Sequence, residues 1–216
     1  MIEPLRRHMM ATPASQAWAA LVAARPDLSE EPLLAGWADA GYPLVARRPM
    51  AGDKAGRIAL GLPLPPSHGK RRIAITMAPV DILHASPPPL LVHAAEAAPA
   101  DWRSCIDKLL RRDPRTRTFG SLAWQHLTGL PYLTESSDLD LLWDLPAKAD
   151  LDSLLVDIAT IATQAPMRID GEFVGAAGGV NWAELRADGA ADVLVKASSG
   201  VRVMTRAAFL ADGQAS

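Results

Sequence analysis

Asp138 and Asp140 stand one residue apart in the run Asp138-Leu139-Asp140-Leu141-Leu142-Trp143. On a β-strand successive side chains alternate between faces. Both carboxylates therefore project on one side, and Leu139, Leu141 and Trp143 on the other. Carboxylates held side by side repel each other unless a cation lies between them. Mg²⁺ suits such a pair, because it takes one or two protein carboxylates and fills its other positions with water and phosphate oxygens. Upstream, Gly120-Ser121 closes a second apolar run and offers a phosphate chain a bare backbone and a hydroxyl. The chemistry these residues suit is metal-assisted phosphoryl or nucleotidyl transfer. A solvated acidic pair is the plain alternative, and the apolar neighbours within LDLLW argue against it.

Such a site commonly needs a third carboxylate from a neighbouring strand. Asp170 and Glu172, in MRIDGEFV, are the candidates. Asp170 is favoured because it ends the strand expected after the helix Asp150–Gln164, where it would complete the metal site and accept a proton from an attacking hydroxyl. A turn aspartate before Gly171 is the alternative. Lys70 and Arg71 (with Arg72) form a basic cluster at the end of a Pro- and Gly-rich loop that suits phosphates of a donor or acidic side chains of a carrier protein, and a solvated basic turn explains them equally well. Lys196 lies in the apolar strand VLVKA, where lysine is uncommon unless paired or guarding a sheet edge. His126 reads as a packed histidine, the remaining histidines lack zinc-ligand spacing, and Trp102, Trp124, Trp143 and Trp182 read as core.

The elements that must position these groups follow from periodicity and punctuation. A helix is expected from Ser29, as N-cap, to Gly41, and another over Ala17–Ala24. The latter follows Arg6 and Arg7, but its apolar part is too short and too interrupted for a signal peptide. Strands are expected at Leu44–Arg47, Arg57–Leu62 and Arg71–Met77, and a helix from Pro87 to Ala98. After these come a helix over Pro99–Arg112, a strand at Thr116–Gly120, a helix at Leu122–Thr128 and the Asp-x-Asp strand. The helix Asp150–Gln164 leads to strands Met167–Asp170 and Glu172–Val174 on either side of Gly171. A turn of helix at Trp182–Arg186 and a hairpin of Val193–Ala197 with Val201–Met204 complete the chain.

At 216 residues, with 49% hydrophobic and 21% charged residues, the composition is that of a globular protein, not of a disordered chain. The single cysteine, Cys105, excludes an internal disulfide. It points to a reducing, cytoplasmic setting, and a buried, inert thiol is expected. No apolar run is long enough for a membrane helix, and neither a membrane nor a nucleic acid is expected as a partner. Residues 1–118 carry 16 basic and 11 acidic side chains, whereas residues 119–216 carry 6 and 13. That asymmetry would steer a phosphate-rich ligand toward the first part.

A Gly-Ser, a helix and an Asp-x-Asp strand resemble the signature of the nucleotidyltransferase superfamily related to DNA polymerase β. The 16 residues between Ser121 and Asp138 exceed the usual spacing of that superfamily. The longer form, LTGLPYLTESSDLDLLW, together with PLVARRP at Pro43–Pro49 and LGLPLPPSHGKRRIAI at Leu60–Ile75, resembles one family within it. That family is the malonate decarboxylase holo-acyl-carrier-protein synthases, or phosphoribosyl-dephospho-CoA transferases. The resemblance runs from about Arg6 to Phe209. It implies an α+β protein with a small mixed N-terminal domain (1–98) followed by a polymerase-β-like nucleotidyltransferase α/β domain (99–216). The residues themselves are read as Asp138 and Asp140 holding Mg²⁺, Asp170 catalytic, and Gly120, Ser121, Lys70, Arg71 and Lys196 on the substrate. The implied donor is 2′-(5″-triphosphoribosyl)-3′-dephospho-CoA, and the implied acceptor is a serine of the apo acyl-carrier subunit of malonate decarboxylase. Two other readings stand beside it: a different nucleotidyltransferase using an ordinary nucleotide, and a non-catalytic binding module on the same fold. The metal reading fails if the carboxylates turn apart, or if a permanent internal cation such as an arginine fills the space between them.

Overall fold

The computed structural model describes residues 5–187 and 191–212. The chain divides into two compact units between Pro87 and Pro88. The division falls before the boundary expected at residue 98, because Leu91, Ala94 and Ala98 are buried in the core of the second unit. The fold is α+β.

The first unit is built on an antiparallel sheet in the order β4-β3-β2-β1-β5. Its strands are β1 (Met10–Pro13), β2 (Leu44–Ala46), β3 (Ile58–Pro63), β4 (Arg72–Met77) and β5 (Ile82–Ser86). Three helices join β1 to β2: α1 (Ser15–Ala23), α2 (Pro26–Ser29) and α3 (Pro32–Ala35). Of the helix expected from Ser29 to Gly41 only the single turn α3 forms, and Ser29 ends α2 instead of capping that helix. A proline has no N–H to donate and starts a helix far better than it continues one. Pro26 and Pro32 each open a turn of their own, and Ser29 closes the first by donating its hydroxyl to the Pro26 carbonyl at 3.1 Å. Trp18 and Trp37 are fully buried, and each donates its indole N–H to a backbone carbonyl (Leu34 and Pro43).

The second unit carries a mixed sheet in the order β11-β10-β9-β8-β7-β6. After α4 (Leu91–Ala94) and α5 (Arg103–Arg112) come β6 (Arg117–Phe119), α6 (Gly120–Thr128) and β7 (Leu139–Asp144). Helix α7 (Lys148–Ala162) crosses over to β8 (Ile169–Gly175), which pairs with β7 in parallel, the connection such a pair requires. The remaining neighbours are antiparallel: β9 (Gly178–Asn181), then α8 (Trp182–Arg186), and the hairpin β10 (Asp192–Lys196) with β11 (Val201–Thr205) before α9 (Arg206–Asp212).

Alternation on these strands separates core from chemistry. Leu139, Leu141, Trp143, Ile169 and Phe173 are buried in one cluster with Ile106 and Leu109 of α5 and Leu151, Leu155 and Ile158 of α7. Trp143 and Phe173 stack at 5.1 Å. Gly171 was expected to separate two strands, but β8 runs through it without a break. A Cβ there would meet the Trp143 ring at 2.6 Å, so the glycine is the gap that the indole fills. Asp140, Asp170 and Glu172 occupy the alternate positions and face the other way.

Candidate active site

Parallel pairing of β7 with β8 sets Asp140 directly beside Asp170. Asp138 lies one pleat back, at the mouth of β7, where the Leu139 N–H donates to the Arg168 carbonyl at 2.9 Å. On its other side β7 pairs with β6, so Phe119 is the register partner of Asp140, and the Thr118 hydroxyl donates to the Asp140 carbonyl at 2.8 Å. The chain then turns straight into α6 at Gly120, with φ +64°. A Cβ on Gly120 would lie 1.8 Å from Asp140 Oδ2. The carboxylate therefore rests against the bare backbone of Gly120, and Ser121 follows in the first turn of α6. Phe119, the N-cap, makes no side-chain capping bond to that first turn. The helix N-terminus next to the carboxylates thus presents backbone N–H groups of the kind that favour phosphate.

Arg168 also occupies this face. Its guanidinium donates to Asp138 Oδ2 at 2.5 Å and lies 3.6 Å from Asp170 Oδ2. Asp138, then Asp170 and Asp140, all raise the proton affinity of this guanidinium. Asp138 and Asp170 thus converge on one cation, with Asp140 acting on it through space. The side chain of Arg168 is 67% exposed, against 31% for Asp138 and 33% for Asp170. It is a surface cation laid across the carboxylates and not an internal plug.

Asp170 is further fixed. Its Oδ1 accepts from the Gly171 N–H at 2.8 Å and from Asn181 Nδ2 at 2.7 Å. Asp170 therefore lies in a continuous strand and not in a turn. Glu172, the other candidate, is 5% exposed and takes a 2.9 Å bond from Lys196 Nζ. Its register partners are Leu142 and Asn181, one pleat beyond Asp170. Lys196 is the half-buried partner of this glutamate, which explains a lysine within VLVKA.

Gly120, Ser121, Asp138, Asp140 and Asp170 are thus gathered at one end of β7 and β8. Lys70 and Arg71 belong to the first unit, where Arg71 donates to Glu31 at 3.1 Å and His68 bonds the same carboxylate at 2.7 Å. His126 is partly buried on α6. Burial and the nearby His93 hold it below the ordinary imidazole range, against the pull of Glu96. Cys105 is buried, and burial pushes its thiol up to about 11.

Three residues of this neighbourhood escape a reading of the sequence. Arg168 acts across the β7–β8 pair and Asn181 across the β8–β9 pair, although Arg168 does stand two residues before Asp170, on the same face. Gln125 holds the long connection between α6 and β7: its Oε1 accepts from the Tyr132 and Leu133 N–H groups, and its Nε2 donates to Ala97. Tyr132 also stacks on Trp124 at 5.8 Å, so the connection that follows α6 is pinned back onto that helix.

Asp138 and Asp140 supply hard oxygen donors on one strand face, with Asp170 in register beside Asp140, and oxygen donors of this type are the ones Mg²⁺ takes. Among the described residues no three acidic, histidine or cysteine side chains stand close enough together to enclose a metal. Two carboxylates are the usual protein share for this ion, however, with water and phosphate oxygens supplying the rest.

Comparison with known proteins places this chain in a family. Residues 6–88 match the model of the phosphoribosyl-dephospho-CoA transferase MdcG N-terminal domain, and residues 90–207 that of its C-terminal domain. The junction coincides with the division between the two units. A phosphoribosyl-dephospho-CoA transferase of Bradyrhizobium diazoefficiens is 41% identical over 212 residues, covering 96% of this chain and 93% of the relative. Relatives of the same name from Xanthomonas campestris pv. campestris and Xanthomonas euvesicatoria pv. vesicatoria are 35% and 37% identical, each over 83% of this chain and 86% of their own. No solved structure matches the chain. By both domains and along nearly its whole length, the chain belongs to the phosphoribosyl-dephospho-CoA transferase family.

Proposed function

We infer that this chain transfers a phosphoribosyl-dephospho-CoA group from its triphosphate donor to a serine of the apo acyl-carrier subunit of malonate decarboxylase, releasing pyrophosphate. One observation carries the chemical part of this reading. The Asp140 carboxylate lies against Gly120 at the start of α6 and in register with Asp170, so acidic groups and a phosphate-receptive helix start share one corner. Donor and acceptor follow from family membership.

Asp138 and Asp140 would hold Mg²⁺, with Asp170 beside them. The ion supplies charge neutralisation on the transferring phosphoryl and leaving pyrophosphate groups. The N–H groups of the first turn of α6 and the Ser121 hydroxyl receive the polyphosphate and orient it. The acceptor serine oxygen forms a bond to the phosphorus nearest the ribose. The bond from that phosphorus to the bridging oxygen breaks, and the electron pair leaves with pyrophosphate. Asp170, held by Asn181 and the Gly171 N–H, takes the serine proton. Lys196 is assigned a supporting position through Glu172, and Lys70 and Arg71, in the first unit, are read as contacts for a phosphate-bearing or acidic ligand. The chain is read as a cytoplasmic protein. In support of that reading, the only cysteine is buried, and no helix among the described residues is long and apolar enough to cross a membrane.

The test is intact-mass spectrometry of the apo carrier subunit after incubation with this protein, Mg²⁺ and either the triphosphoribosyl donor or ATP. A gain equal to the phosphoribosyl-dephospho-CoA group is expected with the first and none with the second. A gain of one AMP would assign the chain to ordinary nucleotidyl transfer, and no gain with either donor would leave a binding role.

A further inference from the structure

Arg168 is the cation that the carboxylate corner already holds. It stands just before β8, two residues ahead of Asp170, and the parallel pairing puts it across from Asp138. It spans Asp138 Oδ2 at 2.5 Å and Asp170 Oδ2 at 3.6 Å, so it links the first and third carboxylates of the site. A guanidinium and a divalent ion need the same oxygens, and Asp138 cannot give Oδ2 fully to both. Two-thirds of the arginine side chain is in solvent. An exposed ion pair is worth little in water, so the arginine can swing away at small cost. Once displaced, it remains tethered next to the carboxylates, with planar paired donors that match phosphate oxygens.

We propose that Arg168 is an exchangeable counter-ion of this site: it neutralises Asp138 and Asp170 before metal enters, yields Asp138 to the metal, and then grips the donor's polyphosphate. This rests on the metal-dependent reading above. Without the exchange, three uncompensated carboxylates would repel one another and also repel an incoming polyphosphate. With it, the corner keeps a cation against its carboxylates both before and after metal entry. Arg168 is on this account a positioning residue for the carboxylates and a contact for the phosphates.

The test is binding of Mn²⁺ alone to the full-length protein, followed by the electron paramagnetic resonance of free Mn²⁺, with no donor or carrier present. Arg168→Gln is expected to bind Mn²⁺ several-fold more tightly than the parent, because the competitor is gone, with Arg168→Lys between the two. At saturating Mn²⁺ the apparent KM for the donor should rise several-fold in Arg168→Gln. Tighter metal with weaker donor is a pair of opposite effects that partial unfolding does not produce. If the parent binds Mn²⁺ and Arg168→Gln binds it equally or less well, the exchange is wrong while the metal reading stands. If neither protein binds Mn²⁺ better than Asp140→Asn does, the metal reading fails and the exchange falls with it.

Discussion

At the scale of single residues, what matters is which acidic side chain has which partner. Asp170 and Glu172 share a face of β8, yet their surroundings divide their roles. Asp170 is a third exposed and lies in register with Asp140, whereas Glu172 is 5% exposed and tied to Lys196 at 2.9 Å. A buried glutamate stripped of the Lys196 ammonium is costly, so Lys196→Met should lower stability by about 1–3 kcal/mol, less than for a fully buried pair because the lysine is partly in solvent. Urea denaturation measures this, and adding Glu172→Gln should recover much of the loss. Sequence alone narrowed the third carboxylate to these two positions and favoured Asp170, since a β-strand face is legible from period-two spacing. The Lys196–Glu172 pair was not legible, because it depends on β9 lying between β8 and β10, a long-range order that spacing does not encode. The same holds for Arg168, whose link to Asp138 crosses a parallel strand pair formed through the fifteen-residue helix α7.

At the scale of elements, the corner is made by β6 turning into α6 without an intervening loop. Gly120 is required twice, by its φ of +64° and by the Asp140 carboxylate that occupies the space of a Cβ. Gly120→Ala should therefore cost only about 1–2 kcal/mol of stability while lowering turnover by about 100-fold, since displacing Asp140 by an ångström is enough to spoil the geometry. Thermal denaturation with steady-state kinetics separates the two effects. The Gly-Ser pair was readable as a motif because small residues at the end of an apolar run are punctuation. Helix limits in the first unit were less readable. Both Pro26 and Pro32 restart the chain, and the regular 3.6-residue pattern gave no warning of the break. Helix α5 supplies the second prediction at this scale. Burial raises the Cys105 thiol to about 11, so it stays protonated and shielded at neutral and mildly alkaline pH. Iodoacetamide at about pH 8 should leave the native protein unlabelled and active, with labelling appearing only in denaturant. Rapid native labelling with loss of activity would contradict this placement.

At the scale of the whole molecule, all three aspartates and the Gly120-Ser121 turn belong to the second unit, and the basic loop Lys70-Arg71-Arg72 to the first. The α+β class and two-part organisation were legible because element types alternate and turn residues cluster. The dividing point was not, because the apolar residues of α4 look alike whether they serve one core or the other. Family models that end at residue 88 and begin at 90 follow the structural division. The account as a whole rests on acidic side chains and a bare helix start acting on one polyphosphate with the help of a divalent ion. Pyrophosphate release tests this most directly, assayed with the triphosphoribosyl donor, apo carrier subunit and full-length protein at graded Mg²⁺. Release should vanish on chelation, return with added Mg²⁺, and fall by about three orders of magnitude or more in Asp140→Asn, since electrostatic stabilisation of this kind is the largest single term in such catalysis. Release that persists in excess chelator, or at an unchanged rate in Asp140→Asn, would contradict the account.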